Sequence, residues 1–288
     1  MQDFDLVVAR DLQHLLALLT HDPGARIVAG ATDFIPFVQA GKWRPRLAVD
    51  ITRVQELRGC RSTDGWVEVG PLVTLGELSG SEFLRQKVVA LAEAAASMAD
   101  PLIRTRATIG GNICTASPAA DTVPALLILG AELTLLSQAG SRCLPLSTFL
   151  IGPGKTALRP GEVLAAIRFP IPTARTGTAF LKLGKRQAMA ISVANAAALV
   201  ELDGAQITAC RLALGALAPT VVRCPAVETS LKNKPWDPAS LAEVAALASE
   251  AISPIDDVRA SASYRRLVAP ELARRVLLQA GEKIGRPL

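Results

Sequence analysis

The sequence predicts an α+β protein of two domains, divided near residue 175. Three observations carry that prediction. At 288 residues the chain exceeds what one compact core usually needs. Its first 175 residues mix short apolar strands with amphipathic helices, whereas the rest reads as a run of strands followed by a run of helices, the order expected when helices pack on one side of an antiparallel sheet. Hydrophobic residues make up 50% of the chain and charged residues 20%, which predicts buried cores rather than a disordered polymer.

Taken in order, FDLVVA (4–9) has strand character, and Asp11 caps a helix whose Leu12, Leu15, Leu16 and Leu19 share one face. HDPGA (21–25) is a turn, RIVAG a buried strand and ATD a tight loop. FIPFVQAGKW is a short helix with Asp33 as N-cap and Gly41 near its end. RLAVDI closes a first subdomain, about 1–55, with another strand. A second, about 56–175, opens with the strand and turn WVEVGPLVT (66–74). A long helical stretch follows to Met98, its apolar face carried by Leu84, Val88, Leu91, Ala95 and Met98. TIGGN (108–112) reads as a glycine-bearing loop. Pro118 and Asp121 suit the first turn of a helix over TVPALLILG, which Gly130 ends, and AELTLLS is the next strand. IGPGKTALRPGE (151–162) is loop-like, and VLAAIRFPIP is a strand ended by prolines. Beyond residue 175, TAFLKLG, ISVANAAALVEL and ITACRLALGAL are strands of an antiparallel sheet, with a turn at Asp203-Gly204. Helices are predicted at about 224–231, 238–252 and 269–284.

Several function classes are excluded. The formal charge is only +5, and no lysine and arginine run interleaves with aromatics, so no nucleic acid partner is expected. No apolar run approaches the roughly 18 residues of a membrane span, and MQDFDLVVARD carries acids where a signal peptide has positive charge. The expectation is a cytoplasmic protein. The cysteines, at 60, 114, 143, 210 and 224, lack C-x-x-C spacing, so reduced thiols are expected and no metal site. His14, on an amphipathic helix, and His21, in a turn, read as surface residues, and no residue is assigned as catalytic. GPGKT (152–156) imitates the end of a Walker motif, but the first Walker glycine would fall at Phe149 and Pro153 has no N–H to donate. VRASASYRRL (258–267) is either a solvated basic face or a docking surface for a partner.

Two glycine-bearing segments remain, AGATD (29–33) and TIGGN (108–112). Glycine permits positive φ and has no Cβ, so successive backbone N–H groups can converge on an oxygen-rich anion. A helix beginning at Phe34 adds the positive end of its dipole. Each segment alone also reads as an ordinary turn; together they suit one diphosphate.

In order along the chain, VAGATDF, GPLVT, IRTRATIGGNICTASPAADTVPALLILGAEL, GPGKTALRPGEVL, KRQAMAISVANAA, LALGALAPT and DDVRASASYRRLV resemble the FAD-binding subunit of molybdenum hydroxylases. That family includes the flavin subunits of carbon monoxide dehydrogenase and xanthine dehydrogenase. The resemblance covers essentially the whole chain. It implies an FAD-binding domain of the vanillyl-alcohol-oxidase (PCMH) type, made of two α+β subdomains, followed by a C-terminal α+β domain with an antiparallel sheet and helices.

The implied contacts with FAD are Ile27, Val28, Ala29, Gly30, Ala31, Thr32, Asp33 and Phe34 in the first segment. In and just after the second they are Thr108, Ile109, Gly110, Gly111, Asn112, Cys114 and Thr115. Asp121 corresponds to the acid near the adenosine, whose carboxylate would accept from ribose hydroxyls or the adenine amine. Met98, Leu164 and Lys182 fall where the family contacts the flavin nucleotide, and Ile191 near the isoalloxazine ring. For Met98, Leu164 and Ile191 core packing is an equal reading, and Cys114 reads as a small packing residue rather than a covalent flavin link. The sequence departs from the commonest family pattern at Ala31, where many members have a second glycine; alanine at positive φ costs on the order of 1 kcal/mol. The resemblance further implies a dimer of heterotrimers, with a molybdenum-pterin large subunit oxidising the substrate. A small subunit with two [2Fe-2S] clusters would carry electrons to FAD. A stand-alone FAD oxidoreductase of the same fold, or a non-catalytic nucleotide-binding module, are the alternatives.

Overall fold

The computed structural model describes residues 3–186 and 189–284. The chain opens with β1 (Asp5–Val8), α1 (Leu12–His21), β2 (Arg26–Val28), α2 (Phe34–Gln39) and β3 (Leu47–Asp50). These strands form a parallel sheet in the order β1-β3-β2. α1 starts where the sequence places it, because the Asp11 carboxylate accepts from the His14 N–H at 2.7 Å. α2 likewise starts at Phe34 with Asp33 at the N-cap position, but Asp33 has helical backbone angles and makes no cap bond through its side chain. Its carboxylate accepts instead from the Thr115 hydroxyl at 2.8 Å.

The second unit contains β4 (Cys60–Thr63), β5 (Trp66–Val69), α3 (Leu75–Gly80), α4 (Glu82–Lys87), α5 (Val89–Ser97), α6 (Pro101–Arg104), α7 (Ile109–Thr115) and α8 (Thr122–Ile128). It continues with β6 (Glu132–Ser137), β7 (Gly140–Pro145), α9 (Leu146–Phe149), β8 (Leu150–Gly152), β9 (Lys155–Thr156) and β10 (Val163–Pro170). Its antiparallel sheet runs β4-β5-β10-β6-β7. The predicted long helix to Met98 is broken into α3, α4 and α5. Thr74 and Glu77 close a capping box on α3, and Ser81 ends it while capping α4 through the Leu84 N–H. Those turns let Leu75, Leu78, Leu84 and Leu91 all reach one core. TIGGN, read as a loop, begins α7. The edge strands β4 and β7 escaped prediction because both are largely exposed and lack apolar alternation.

The last unit holds β11 (Thr176–Leu183), β12 (Ala194–Asp203), β13 (Gln206–Gly215) and β14 (Val222–Arg223), then α10 (Pro225–Leu231), α11 (Pro238–Ala245) and α12 (Ala262–Glu282). The strands form an antiparallel sheet in sequence order. α11 gives way to a 3-10 turn over Ala246–Ala251, shortening the helix predicted to 252. α12 begins earlier than predicted because Ser261 caps it through the Tyr264 N–H. Pro270 lies inside it, a residue that usually marks a helix start or end. The fold is thus α+β, with the antiparallel C-terminal sheet expected.

The seam between the last two units is buried. Every residue of α8 is buried, as a sequence apolar at every position but Thr122 requires, and it lies between α5 and strands β12 and β13. Phe180, Ala197 and Ala213 join the same core as Val67, Leu91 and Leu126. Across the seam Ala90 N–H donates to Thr178 Oγ1 at 3.2 Å, and Phe180 N–H to Glu93 Oε2 at 3.0 Å.

Candidate functional site

The first segment leaves the carboxyl end of β2, the edge of a parallel sheet where ligands commonly bind. Ala31 takes the left-handed conformation, φ 62°, that the sequence argument identified as costly for alanine. The backbone N–H groups of Gly30, Ala31, Thr32 and Asp33 meet no acceptor among the described residues. A turn that aims such donors outward is a nest for an anion. Gly30 is glycine for a different reason: a Cβ there would lie 1.8 Å from the Arg106 carbonyl oxygen. The first segment therefore lies against the backbone just ahead of the second, and the Thr115 to Asp33 bond ties α7 to it. Val28, Phe34 and Ile109 are buried beneath this contact, and Ile27 and Ala29 pack beside a core.

The second segment differs from expectation. Thr108 caps α7, its hydroxyl accepting from Gly111 N–H at 3.1 Å. Ile109 N–H donates to Val73 O at 3.0 Å, Gly110 N–H to Pro71 O at 2.9 Å and Asn112 N–H to Thr108 O at 3.0 Å. These donors are already used inside the chain, so of the two segments only the first has an unpaired row among the described residues. The two glycines also separate. A Cβ on Gly110 would lie 2.7 Å from the Pro71 carbonyl oxygen, whereas one on Gly111 would meet only Thr108 Oγ1, at 3.0 Å. Gly110 serves packing; Gly111 leaves a face of α7 uncovered. Asn112 turns inward, its Oδ1 accepting from the Thr122 hydroxyl at 2.6 Å.

Asp121, which stands at the start of α8 as the sequence suggests, is only 3% exposed. Its Oδ1 accepts from Ser192 Oγ at 2.5 Å and Asn195 Nδ2 at 2.6 Å, and its Oδ2 from Lys182 Nζ at 2.6 Å. The structure thus joins two predicted site residues as an ion pair across the seam. Lys182 also donates to Ser97 O at 3.1 Å, beside the half-buried Met98. A buried pair holds only when its remaining lone pairs are bonded, which Ser192 and Asn195 provide. Lys182, Ser97, Lys185 and Arg186 line a hollow of about 690 Å³ between α5 and β11. Leu164 is core, 3% exposed, whereas Ile191 is 57% exposed and is no core residue. Burial pushes the Cys114 thiol up to about 12, so it stays protonated at neutral pH. His14 is engaged locally, its Nδ1 accepting from Arg10 N–H. Among the described residues no three His, Cys, Asp or Glu side chains gather as a metal site, and no helix is long and apolar enough to cross a membrane.

Sequence reasoning missed Ser192, Asn195 and Arg265, all buried polar residues. The signal was present in SVANAAALV, where a serine and an asparagine interrupt an otherwise apolar strand.

Residues 2–172 match the family described as FAD binding domain in molybdopterin dehydrogenase, and residues 179–280 match the CO dehydrogenase flavoprotein C-terminal domain. The chain is 34% identical to the xanthine dehydrogenase FAD-binding subunit of Escherichia coli O157:H7, covering 94% of each chain. It is 33% identical to the 6-hydroxypseudooxynicotine dehydrogenase complex subunit alpha of Paenarthrobacter nicotinovorans, covering 96% of this chain and 94% of that one. Among solved structures, a chain of the carbon monoxide dehydrogenase of Hydrogenophaga pseudoflava superposes with a TM-score of 0.94 at 29% identity, covering 98% of both. A chain of the Cu,Mo-CO dehydrogenase gives 0.93 at 30% identity, covering 98% of this chain and 99% of that one.

Proposed function

Because the chain belongs to the family of FAD-binding subunits of molybdenum hydroxylases, we propose that it is the electron-transfer component of such a complex. In this reading it receives electrons from the [2Fe-2S] clusters of one partner and passes them to an external acceptor. It is an oxidoreductase subunit and its cofactor is FAD. The redox chemistry is the cofactor's own, which exchanges electrons singly or in pairs; the protein binds, orients and tunes it.

The observation that carries the reading is the row of unpaired N–H groups from Gly30 to Asp33, with Ala31 in the left-handed region. A diphosphate offers only acceptor oxygens, so donors without internal partners fit it, and a buried carboxylate in their place would not. Ile27 to Phe34, Thr108 to Asn112, Cys114 and Thr115 hold that end of FAD. Gly111 leaves room for close approach, and Gly110 fixes α7 on Pro71. Met98 and Leu164 offer apolar faces to the nucleotide, and Ile191 stands at the isoalloxazine ring. Asp121, at the adenosine, and Lys182, at the flavin nucleotide, act as a pair whose opposite charges balance each other.

Residues 1–175 make up the FAD-binding part, subdivided near residue 55, and 176–288 the C-terminal part. The partners are a molybdenum-pterin large subunit and a small subunit with two [2Fe-2S] clusters, assembled in the cytoplasm as a dimer of heterotrimers. Relatives named as a complex subunit and as part of a Cu,Mo enzyme support this. Purification of the native complex tests it: molybdenum, iron and FAD should co-elute with this chain in the fixed ratio 1:4:1 that one pterin centre and two clusters per flavin require. Flavin eluting with this chain alone, free of both metals, would refute the subunit reading.

A further inference from the structure

The return stem of the connection between β11 and β12, Ile191 to Asn195, is held by two buried charged groups approaching from different elements. From the start of α8, Asp121 binds Ser192 and Asn195. From α12, the Arg265 Nε donates to Val193 O at 3.0 Å, and the rest of its guanidinium to Ile255 O, Ala260 O and, at 2.9 Å, Asp257 Oδ1. Between these clamps the Val193 N–H donates to Leu183 O at 2.8 Å, closing the first rung above the β11–β12 ladder. Arg265 is 2% exposed and Ser192 1%. Burying a charge is costly unless fully bonded, and both buried groups here serve a stem whose last outward side chain, Ile191, is exposed.

We infer that Arg265 and Ser192 are positioning residues for the flavin: by fixing Val193 and its rung to Leu183 they set the place of Ile191, which touches the ring in the function proposed above, on which this inference rests. Neither residue contacts the cofactor itself. Arg265 suits the task because its planar fork meets several carbonyl acceptors at fixed angles, which a lysine ammonium does not. This gives VRASASYRRL, read from sequence as a solvated face or a docking surface, an internal duty at Arg265.

The test compares wild type, Ser192→Ala and Arg265→Lys, with FAD as the probe. In the cofactor-free chain, hydrogen exchange at the Val193 amide should quicken about tenfold in both variants, the shift expected when one hydrogen bond restraining a local opening is lost. In the FAD-loaded chain the visible circular dichroism of the flavin should change in both. Unaltered exchange at Val193 would overturn the inference, and so would faster exchange with an unaltered flavin spectrum, since the stem would then be merely structural. If Arg265→Lys fails to fold, Ser192→Ala decides by the same two readouts. Failure of the wild type to take up FAD would instead refute the function proposed above, and the exchange measurement separates the two outcomes.

Discussion

The adjacent glycines of TIGGN offer a sharp test, because the structure assigns them different work. In Gly110→Ala the new methyl would lie 2.4 Å from Pro71 Cβ and 2.7 Å from the Pro71 carbonyl oxygen, both parts of a turn that also accepts the Gly110 N–H. Overpacking of this kind costs about 1–3 kcal/mol, and the gain from replacing a helical glycine, about 1 kcal/mol, offsets only part of it. Thermal unfolding should fall by a few degrees, at roughly 2–4 °C per kcal/mol for a chain of this size. In Gly111→Ala the methyl meets only Thr108 Oγ1, at 3.0 Å, so the fold should be as stable as wild type or slightly more so. If that face of α7 lies against the diphosphate, the variant should still bind FAD less tightly. The loss is about that of one charge-assisted hydrogen bond, roughly 1.5–3 kcal/mol or about 10- to 150-fold in Kd. Gly111→Asp adds a negative charge and should abolish binding in a folded chain. Differential scanning fluorimetry and titration of apoprotein with FAD measure the two effects. A Gly110→Ala protein as stable as wild type would refute the packing argument, and normal FAD affinity in Gly111→Asp would remove α7 from the site.

Four further outcomes follow from individual side chains. Ala31 sits at φ 62°, so Ala31→Gly should stabilise the folded chain by about 1 kcal/mol in urea titration; no gain would mean the turn carries no strain. Burial works to raise the Asp257 carboxyl, but the amides of Arg259 and Ala260 and the Arg265 guanidinium outweigh it and hold it well below the usual carboxylate range. A depressed pKa contributes stability above the unfolded value, about 3.9, that is lost as pH falls through the folded one. Asp257→Asn should therefore be less stable than wild type at neutral pH, and the gap should narrow as pH drops below about 4; a constant gap in acid-unfolding curves would contradict this. Iodoacetamide should label the exposed Cys60 and Cys143 and spare Cys114, whose thiol burial pushes up to about 12, and acid precipitation should leave all flavin in the supernatant. Flavin retained on the precipitated chain would implicate Cys114 in a covalent bond.

What was legible in the sequence was whatever depends on near neighbours. Asp11 announced its helix, and the mix of strands and helices before residue 175 announced the α+β class. The breaks at Ser81 and Val88 were hidden because the apolar positions continue through them. In the site, the glycines drew attention correctly but for one reason where the structure has several. Gly30 answers to Arg106 and Gly110 to Pro71, contacts no local pattern encodes. The buried network around Asp121 was not foreseen because its partners lie 61 to 74 residues onward, at Lys182, Ser192 and Asn195. Long-range polar pairing leaves only a faint trace, a polar residue in an apolar strand, and such a trace names no partner.

Division of labour within the complex is the central claim, and anaerobic reduction of the bound flavin tests it most directly. The FAD-loaded chain alone should lose its visible flavin band on addition of dithionite, and should keep it on addition of aldehydes, N-heterocycles or carbon monoxide. With the molybdenum and iron-sulfur partners added, the right substrate should bleach the same band, and an external acceptor should restore it. Rapid bleaching of the lone chain by an organic substrate would contradict the account and make this protein an FAD oxidoreductase in its own right.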